Sequence, residues 1–164
     1  MSAEALRPAL LEEPRSVSAQ ERAALIKDLL AVLPQAAVLH AEEELRPYEC
    51  DGLSAYRHVP MLVALPATVP QVQAILRICR EEGVPVVARG AGTGLSGGAL
   101  PHEKGILLSL AKFKNIIDID PRRRIARVQP GVRNLAISEA ADHFGLYYAP
   151  DPSSQIACTI GGNV

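Results

Sequence analysis

The chain is expected to form an α+β domain: a βαβ unit with a glycine-rich phosphate loop leaving its second strand, and a helix ahead of both. Three observations carry that expectation. Two short apolar runs, Met61 to Leu65 and Val84 to Ala88, flank a stretch whose apolar residues recur at helical spacing. Two capping-box patterns, Ser18 with Glu21 and Thr68 with Gln71, open helix-periodic segments. The decapeptide Arg89 to Gly98 then holds five glycines directly after the second apolar run. At 164 residues and 48% hydrophobic content the chain is long enough to bury one core.

The elements follow in order. Residues up to Val17 are rich in Pro, Glu and Ala and read as a loose arm. Ser18 opens a helix with Leu25, Ile26, Leu29, Leu30 and Leu33 on its apolar face, stopped by Pro34. The acidic run Glu42 to Glu44 reads as a linker into the segment Tyr48 to Arg57, which divides the chain into an arm and helix over residues 1–46 and a domain portion over 47–164. Met61 to Leu65 is a buried strand ended by Pro66. Thr68 caps a helix with Pro70 in its tolerated first turn, an apolar face of Val72, Ile75, Leu76 and Cys79, and a stop at Gly83. Val84 to Ala88 follows, parallel to 61–65 through a right-handed crossover. Beyond the glycine loop come a strand, Ile106 to Leu110, and a hairpin, Ile116 to Ile119 with Ile125 to Gln129, turning through Asp120, Pro121, Arg122 and Arg123. Pro130 and Gly131 break the ladder. A helix from Val132 to Phe144 buries Leu135, Ala136, Ala140 and Phe144 and ends at Gly145. Leu146 to Tyr148 reads as a short strand, and Pro150 to Ser154 as an extended loop. There is no internal repeat.

The glycine loop is built for an anion. Without a Cβ, successive glycines let backbone N–H groups turn inward into a nest for phosphate oxygens, helped by the hydroxyls of Thr93 and Ser96 and the charge of Arg89. No lysine follows at P-loop spacing, which excludes that motif. Gly92, Gly94 and Gly97 satisfy the spacing of the dinucleotide fingerprint, yet Gly98 and Pro101 bracket a short stretch leading to another strand rather than a helix. The expected guest is therefore a diphosphate held without a helix dipole. A flexible linker is the alternative, and the direct fusion to an apolar strand argues against it.

Composition narrows the rest. A net charge of −1 and 4% aromatic residues leave no basic stacking surface for nucleic acid, and Arg122 to Arg124 fit a solvated turn. Three widely spaced cysteines argue against a disulfide framework and for a reducing compartment, and no Cys-x-x-Cys is present to hold an iron–sulfur cluster. Cys79 lies on an apolar helical face and reads as a core thiol. His40, His58, His102 and His143 show no metal-ligand spacing, so neither a metal ligand nor a catalytic residue is assigned in this chain. No signal peptide and no membrane span are expected.

Several separated motifs in one order carry a resemblance. The stretch Tyr48 to Arg57, the segment Pro85 to Gly98, the run Pro150-Asp151-Pro152-Ser153-Ser154 and the run Thr159-Ile160-Gly161-Gly162-Asn163 together resemble the FAD-binding PCMH-type domain of vanillyl-alcohol-oxidase-type flavoproteins. Within that superfamily the likeness is to the FAD-linked subunit of bacterial glycolate oxidase and its D-lactate and D-2-hydroxy-acid dehydrogenase relatives. The resemblance implies that Arg89, Gly90, Ala91, Gly92, Thr93, Gly94, Leu95, Ser96 and Gly97 cradle the FAD pyrophosphate. It further implies that Pro150, Asp151, Ser154, Thr159, Gly161 and Gly162 approach the cofactor from the second group of motifs. Thr93 stands where some members carry a histidine bonded to the flavin, so noncovalent FAD is implied. The family pattern also implies an N-terminal fragment of a subunit about three times as long. Its implied activity in full length is oxidation of glycolate or D-lactate to the 2-oxo acid, with hydride passing to FAD. Catalytic and metal residues are then expected beyond Val164, along with companion subunits including an iron–sulfur one. A cytoplasmic location follows, with attachment to the inner face of the membrane through those partners. The competing reading is a non-catalytic nucleotide- or anion-binding module that retains the loop.

Overall fold

The computed structural model describes residues 17–164; the expected N-terminal arm, up to Val17, lies almost wholly outside them. Helix α1 (Ala19–Val32) starts at the expected capping box, with the Ser18 hydroxyl accepting from the Glu21 amide at 3.2 Å and the Glu21 carboxylate accepting from the Ser18 amide at 2.8 Å. Leu25, Leu29 and Leu33 are buried, but Leu30 is 39% exposed. Leu30 is one residue, roughly 100°, beyond Leu29 and so falls off the stripe.

After Pro34 and a single 3-10 turn, the chain forms β1 (Val38–Leu39), an element not anticipated from sequence. The acidic run is not a linker but a short helix, α2 (Glu42–Leu45). Its glutamates have structural work: Glu44 accepts from the amides of Ala41 at 3.0 Å and His40 at 3.1 Å, which hold its carboxyl below the usual carboxylate range. Leu45 then anchors α2 in the core against Val63 and Leu107.

Four strands make the central sheet: β1, β2 (Leu62–Ala64), β3 (Val86–Arg89) and β4 (Ile106–Ser109), in the order β1-β2-β4-β3. Both β2 and β3 run parallel to β4, pairing Leu62 and Val86 with Ile106, while β1 is antiparallel to β2. The expected parallel orientation of the first two apolar strands therefore holds, with β4 inserted between them. Every residue of β2 and β4 is buried, as continuous apolar runs in a covered parallel sheet should be. β3 starts at Val86 rather than Val84; Pro85, which has no N–H to give a ladder, accepts the Ile106 amide through its carbonyl.

Helix α3 (Val69–Glu81) joins β2 to β3 and carries the second capping box, Thr68 with Gln71. It buries Ile75 and Cys79 against α1 and the sheet, while Leu76 is 45% exposed for the same angular reason as Leu30. Desolvation pushes the Cys79 thiol up to about 11, as befits a core thiol.

A second, two-stranded sheet pairs β5 (Ile116–Asp120) with β6 (Ile125–Val128), antiparallel. Its turn is closed by Asp120, which accepts from the amides of Arg122 and Arg123, each at 3.0 Å. Helix α4 (Asn134–Ala141) is shorter than expected and passes through a 3-10 turn, Asp142–Phe144, to Gly145 at φ +68°. Its inward face also differs: Asn134, Ile137 and Ala141 are buried, Leu135, Ala136 and Ala140 are half-buried, and Phe144 is 42% exposed. Asn134 fixes that rotation, since its side chain donates to the Pro150 carbonyl at 3.0 Å and accepts from Asn163 at 3.2 Å. Leu146 to Tyr148 forms no strand, and the Tyr148 amide is used by the Ser138 hydroxyl at 3.0 Å.

Candidate functional site at the glycine loop

Strand β3 ends at Arg89, and the chain then runs through residues 90–98 without a helix, as the failed fingerprint context required. Facing it is α5 (Ile160–Asn163) with its lead-in. This second wall is pinned by backbone bonds: the Asn134 amide donates to the Cys158 carbonyl, the Ile160 amide to Val132, and the Gly161 amide to Pro130. Gly161 must be small here, because a Cβ would lie 2.6 Å from the Pro130 side chain.

Between the two walls lies a cavity of about 440 Å³. The loop side contributes Arg89, Gly90, Ala91, Gly92, Thr93, Gly94 and Ser96. The opposite side contributes Ser154, Thr159, Gly161 and Gly162. Four expected site residues do not line it. Leu95 is 69% exposed, Gly97 turns the chain at φ +76°, Pro150 uses its carbonyl on Asn134, and Asp151 is exposed. Conversely, Leu110, Pro130 and Asn163 line the cavity without having been singled out. Asn163 sits inside the Gly-Gly-Asn run and was legible there; Leu110 and Pro130 enter through tertiary packing alone.

Two side chains shape the walls. Thr159 is the N-cap residue of α5, yet its hydroxyl makes no cap hydrogen bond; it is buried, has no partner, and occupies the space that a Cβ on Gly90 would need. Arg89 folds back under the loop, where a Cβ on Gly92 would collide with its guanidinium. Gly92 itself has φ +71°, a conformation glycine accepts without strain. Gly52 packs behind the loop, where a Cβ would lie 2.7 Å from the Thr93 carbonyl oxygen, which explains why the Tyr48 to Arg57 segment accompanies the loop. Among the described residues the cavity lining contains one charged side chain, Arg89, and no carboxylate. No group of His, Cys, Asp and Glu residues is placed to hold a metal ion among the described residues.

A concave, carboxylate-free site between a glycine turn and a Gly-Gly segment, with a buried hydroxyl left over, is that of a nucleotide-cofactor-binding module. Comparison with known proteins agrees. The sequence profile of the FAD binding domain family matches residues 60–164. The glycolate oxidase subunit GlcD of Escherichia coli K12 is 63% identical over 144 residues, covering 88% of this chain and 29% of that protein. The D-lactate dehydrogenase of Archaeoglobus fulgidus is 40% identical, covering 63% of this chain and 23% of its own length. Among solved structures, p-cresol methylhydroxylase with substrate bound superposes with a TM-score of 0.79 at 28% identity, covering 92% of this chain and 30% of that one. The chain belongs to the FAD-binding domain family, with the vanillyl-alcohol-oxidase-type fold. It spans under a third of the length of these relatives.

The residues fit the cofactor. Gly94 and Gly162 line the cavity with nothing within 4 Å of where a Cβ would stand, which leaves a cradle. The Thr159 hydroxyl on its wall is a buried donor without a partner, a state that otherwise costs about 1–3 kcal/mol.

Proposed function

We propose that this chain is the pyrophosphate-holding portion of an FAD-dependent 2-hydroxy-acid oxidoreductase acting on glycolate or D-lactate. The observation that carries the reading is the convergence of the glycine loop and the Thr159–Gly162 segment on one carboxylate-free cavity. The amides of residues 90–94 and the hydroxyls of Thr93, Ser96 and Thr159 hold the diphosphate. Gly161 and Gly162 let the opposite backbone come close. Bound FAD supplies the acceptor for the hydride that leaves the hydroxyl-bearing carbon as the acid becomes a 2-oxo acid. Orientation of that cofactor is the part this chain contributes.

Support for the substrate class comes from the glycolate oxidase and D-lactate dehydrogenase names of its relatives. A companion iron–sulfur subunit, a cytoplasmic location and attachment through partners belong to the same proposal; no described helix is long and apolar enough to cross a membrane. With Thr93 in place of a histidine the attachment is noncovalent.

The test uses the full-length protein. It should purify yellow, or turn so on adding FAD, and glycolate or D-lactate should bleach the flavin anaerobically while L-lactate does not. Acid precipitation should release the flavin into the supernatant. A protein that takes up no flavin is instead an anion-binding module, and flavin retained on the precipitated polypeptide refutes the noncovalent attachment.

A further inference from the structure

We infer that Arg89 sets the charge preference of this cavity, acting through the turn at Gly92 as a positioning residue rather than as a direct phosphate ligand; the inference rests on the FAD reading. The geometry is specific. The guanidinium leaves the end of β3 and doubles back until it fills the space that a side chain at Gly92 would take. It is fixed there by two partners: its Nη1 donates to the Cys50 carbonyl at 2.6 Å, and its Cζ lies 5.8 Å from the centre of the Tyr48 ring.

Both partners are neutral. Among the described residues no carboxylate pairs with Arg89, and none lines the cavity. Asp51, next to Cys50, is buried with one carboxylate oxygen unpartnered but forms no ion pair with Arg89. The half-buried guanidinium thus has no carboxylate in contact, and an anion brought into the cavity relieves the cost of that. Nη1 is committed to a carbonyl and the guanidinium lies near a ring, with Nη2 tucked under Gly92, so the charge is delivered from beneath the loop while the amides above it make the contacts. The preferred ligand is therefore a phosphorylated one, a diphosphate diester or a phosphate monoester with about two negative charges each, over a neutral ribityl chain. The same brace ties the Tyr48–Cys50 segment to the loop, which gives the planar, stacking side chain of arginine an advantage over lysine.

The experiment titrates full-length apoprotein with FAD, FMN and riboflavin, following flavin fluorescence, for wild type, Arg89→Gln and Arg89→Lys. Each ligand is compared with itself across variants. One unit charge acting across a partly buried site predicts that Arg89→Gln weakens FAD and FMN each by about tenfold or more, and riboflavin by under about twofold. Arg89→Lys should recover most of the FAD affinity because it restores the charge. Equal losses for all three flavins overturn the inference, since they report a collapsed loop; so does an Arg89→Gln protein that binds FAD like wild type. If Arg89→Gln does not fold, salt dependence in the wild type decides. FAD affinity must fall with ionic strength while that of riboflavin does not, and a flat FAD curve overturns the inference. Wild type that binds no flavin overturns the FAD reading and this inference together, whereas the variant outcomes bear on Arg89 alone.

Discussion

Thr159 occupies the N-cap position of α5 without capping it, and its hydroxyl is the buried polar group on the cavity wall that the protein itself leaves unsatisfied. Replacing it with valine keeps the shape and removes the orphan. In the full-length apoprotein, Thr159→Val should leave stability unchanged or raise it by about 1 kcal/mol, because a buried unmet hydrogen-bonding group disappears. The same change should weaken FAD about tenfold, the loss of one hydrogen bond to a charged oxygen. Thermal melting and FAD titration check the two halves, and a variant that is both destabilised and unchanged in affinity contradicts them. At this scale the motif was legible but the reasons for its glycines were not. Gly90 is small for the Thr159 hydroxyl and Gly92 for its left-handed turn and the Arg89 guanidinium, whereas a Cβ on Gly94 meets nothing within 4 Å. Spacing alone treats the three alike, since the neighbours that distinguish them come from 69 residues downstream or from a side chain folded back.

Capping boxes located both long helices to within a residue, because a cap is a local contest between one side chain and the first free amides. Apolar faces were read less well. Leu30 and Leu76 each follow a fully buried neighbour, Leu29 and Ile75, and a stripe drawn generously takes in both. The distinction is measurable on α1. Leu29→Ala removes a side chain with no solvent exposure and should cost about 2–5 kcal/mol, whereas Leu30→Ala, at 39% exposure, should cost under about 1 kcal/mol. Urea denaturation of the two variants decides, and similar losses would place the buried stripe elsewhere. In α4 the error had another source: a polar residue, Asn134, is the anchor, and no rule of apolar periodicity selects an asparagine as the inward-facing position. The short elements β1 and α2 were missed because two residues and one turn carry too little pattern to stand out from a linker.

The order of strands was not legible, since a right-handed crossover requires β2 and β3 to be parallel but not adjacent, and the insertion of β4 between them satisfies the same rule. That insertion concentrates burial: β2 and β4 lie wholly inside, with α1 and α3 packed over them, and they share the core cluster that includes Leu29, Leu62, Ile75 and Ile106. The β5–β6 hairpin has no such cover. It forms its own two-stranded sheet, with Ile117 and Ile125 each 57% exposed, and a two-stranded sheet is marginal in water by itself. The 164-residue chain should therefore open in two tiers. Native-state hydrogen exchange should find the amides of Val63, Leu107 and Leu108 exchanging only through the largest opening of the molecule, and those of β5 and β6 exchanging far sooner. Because the Gln129 amide bonds to the Asn115 carbonyl and the Gly131 amide to that of Phe113, the hairpin is continuous with the Pro130 wall of the cavity. FAD should accordingly slow exchange at Gly131 and Gly161 while leaving the already protected β2 and β4 amides unchanged. Uniform protection of both sheets without ligand would show that the hairpin shares the main core's cooperativity, and would remove the basis for that local effect.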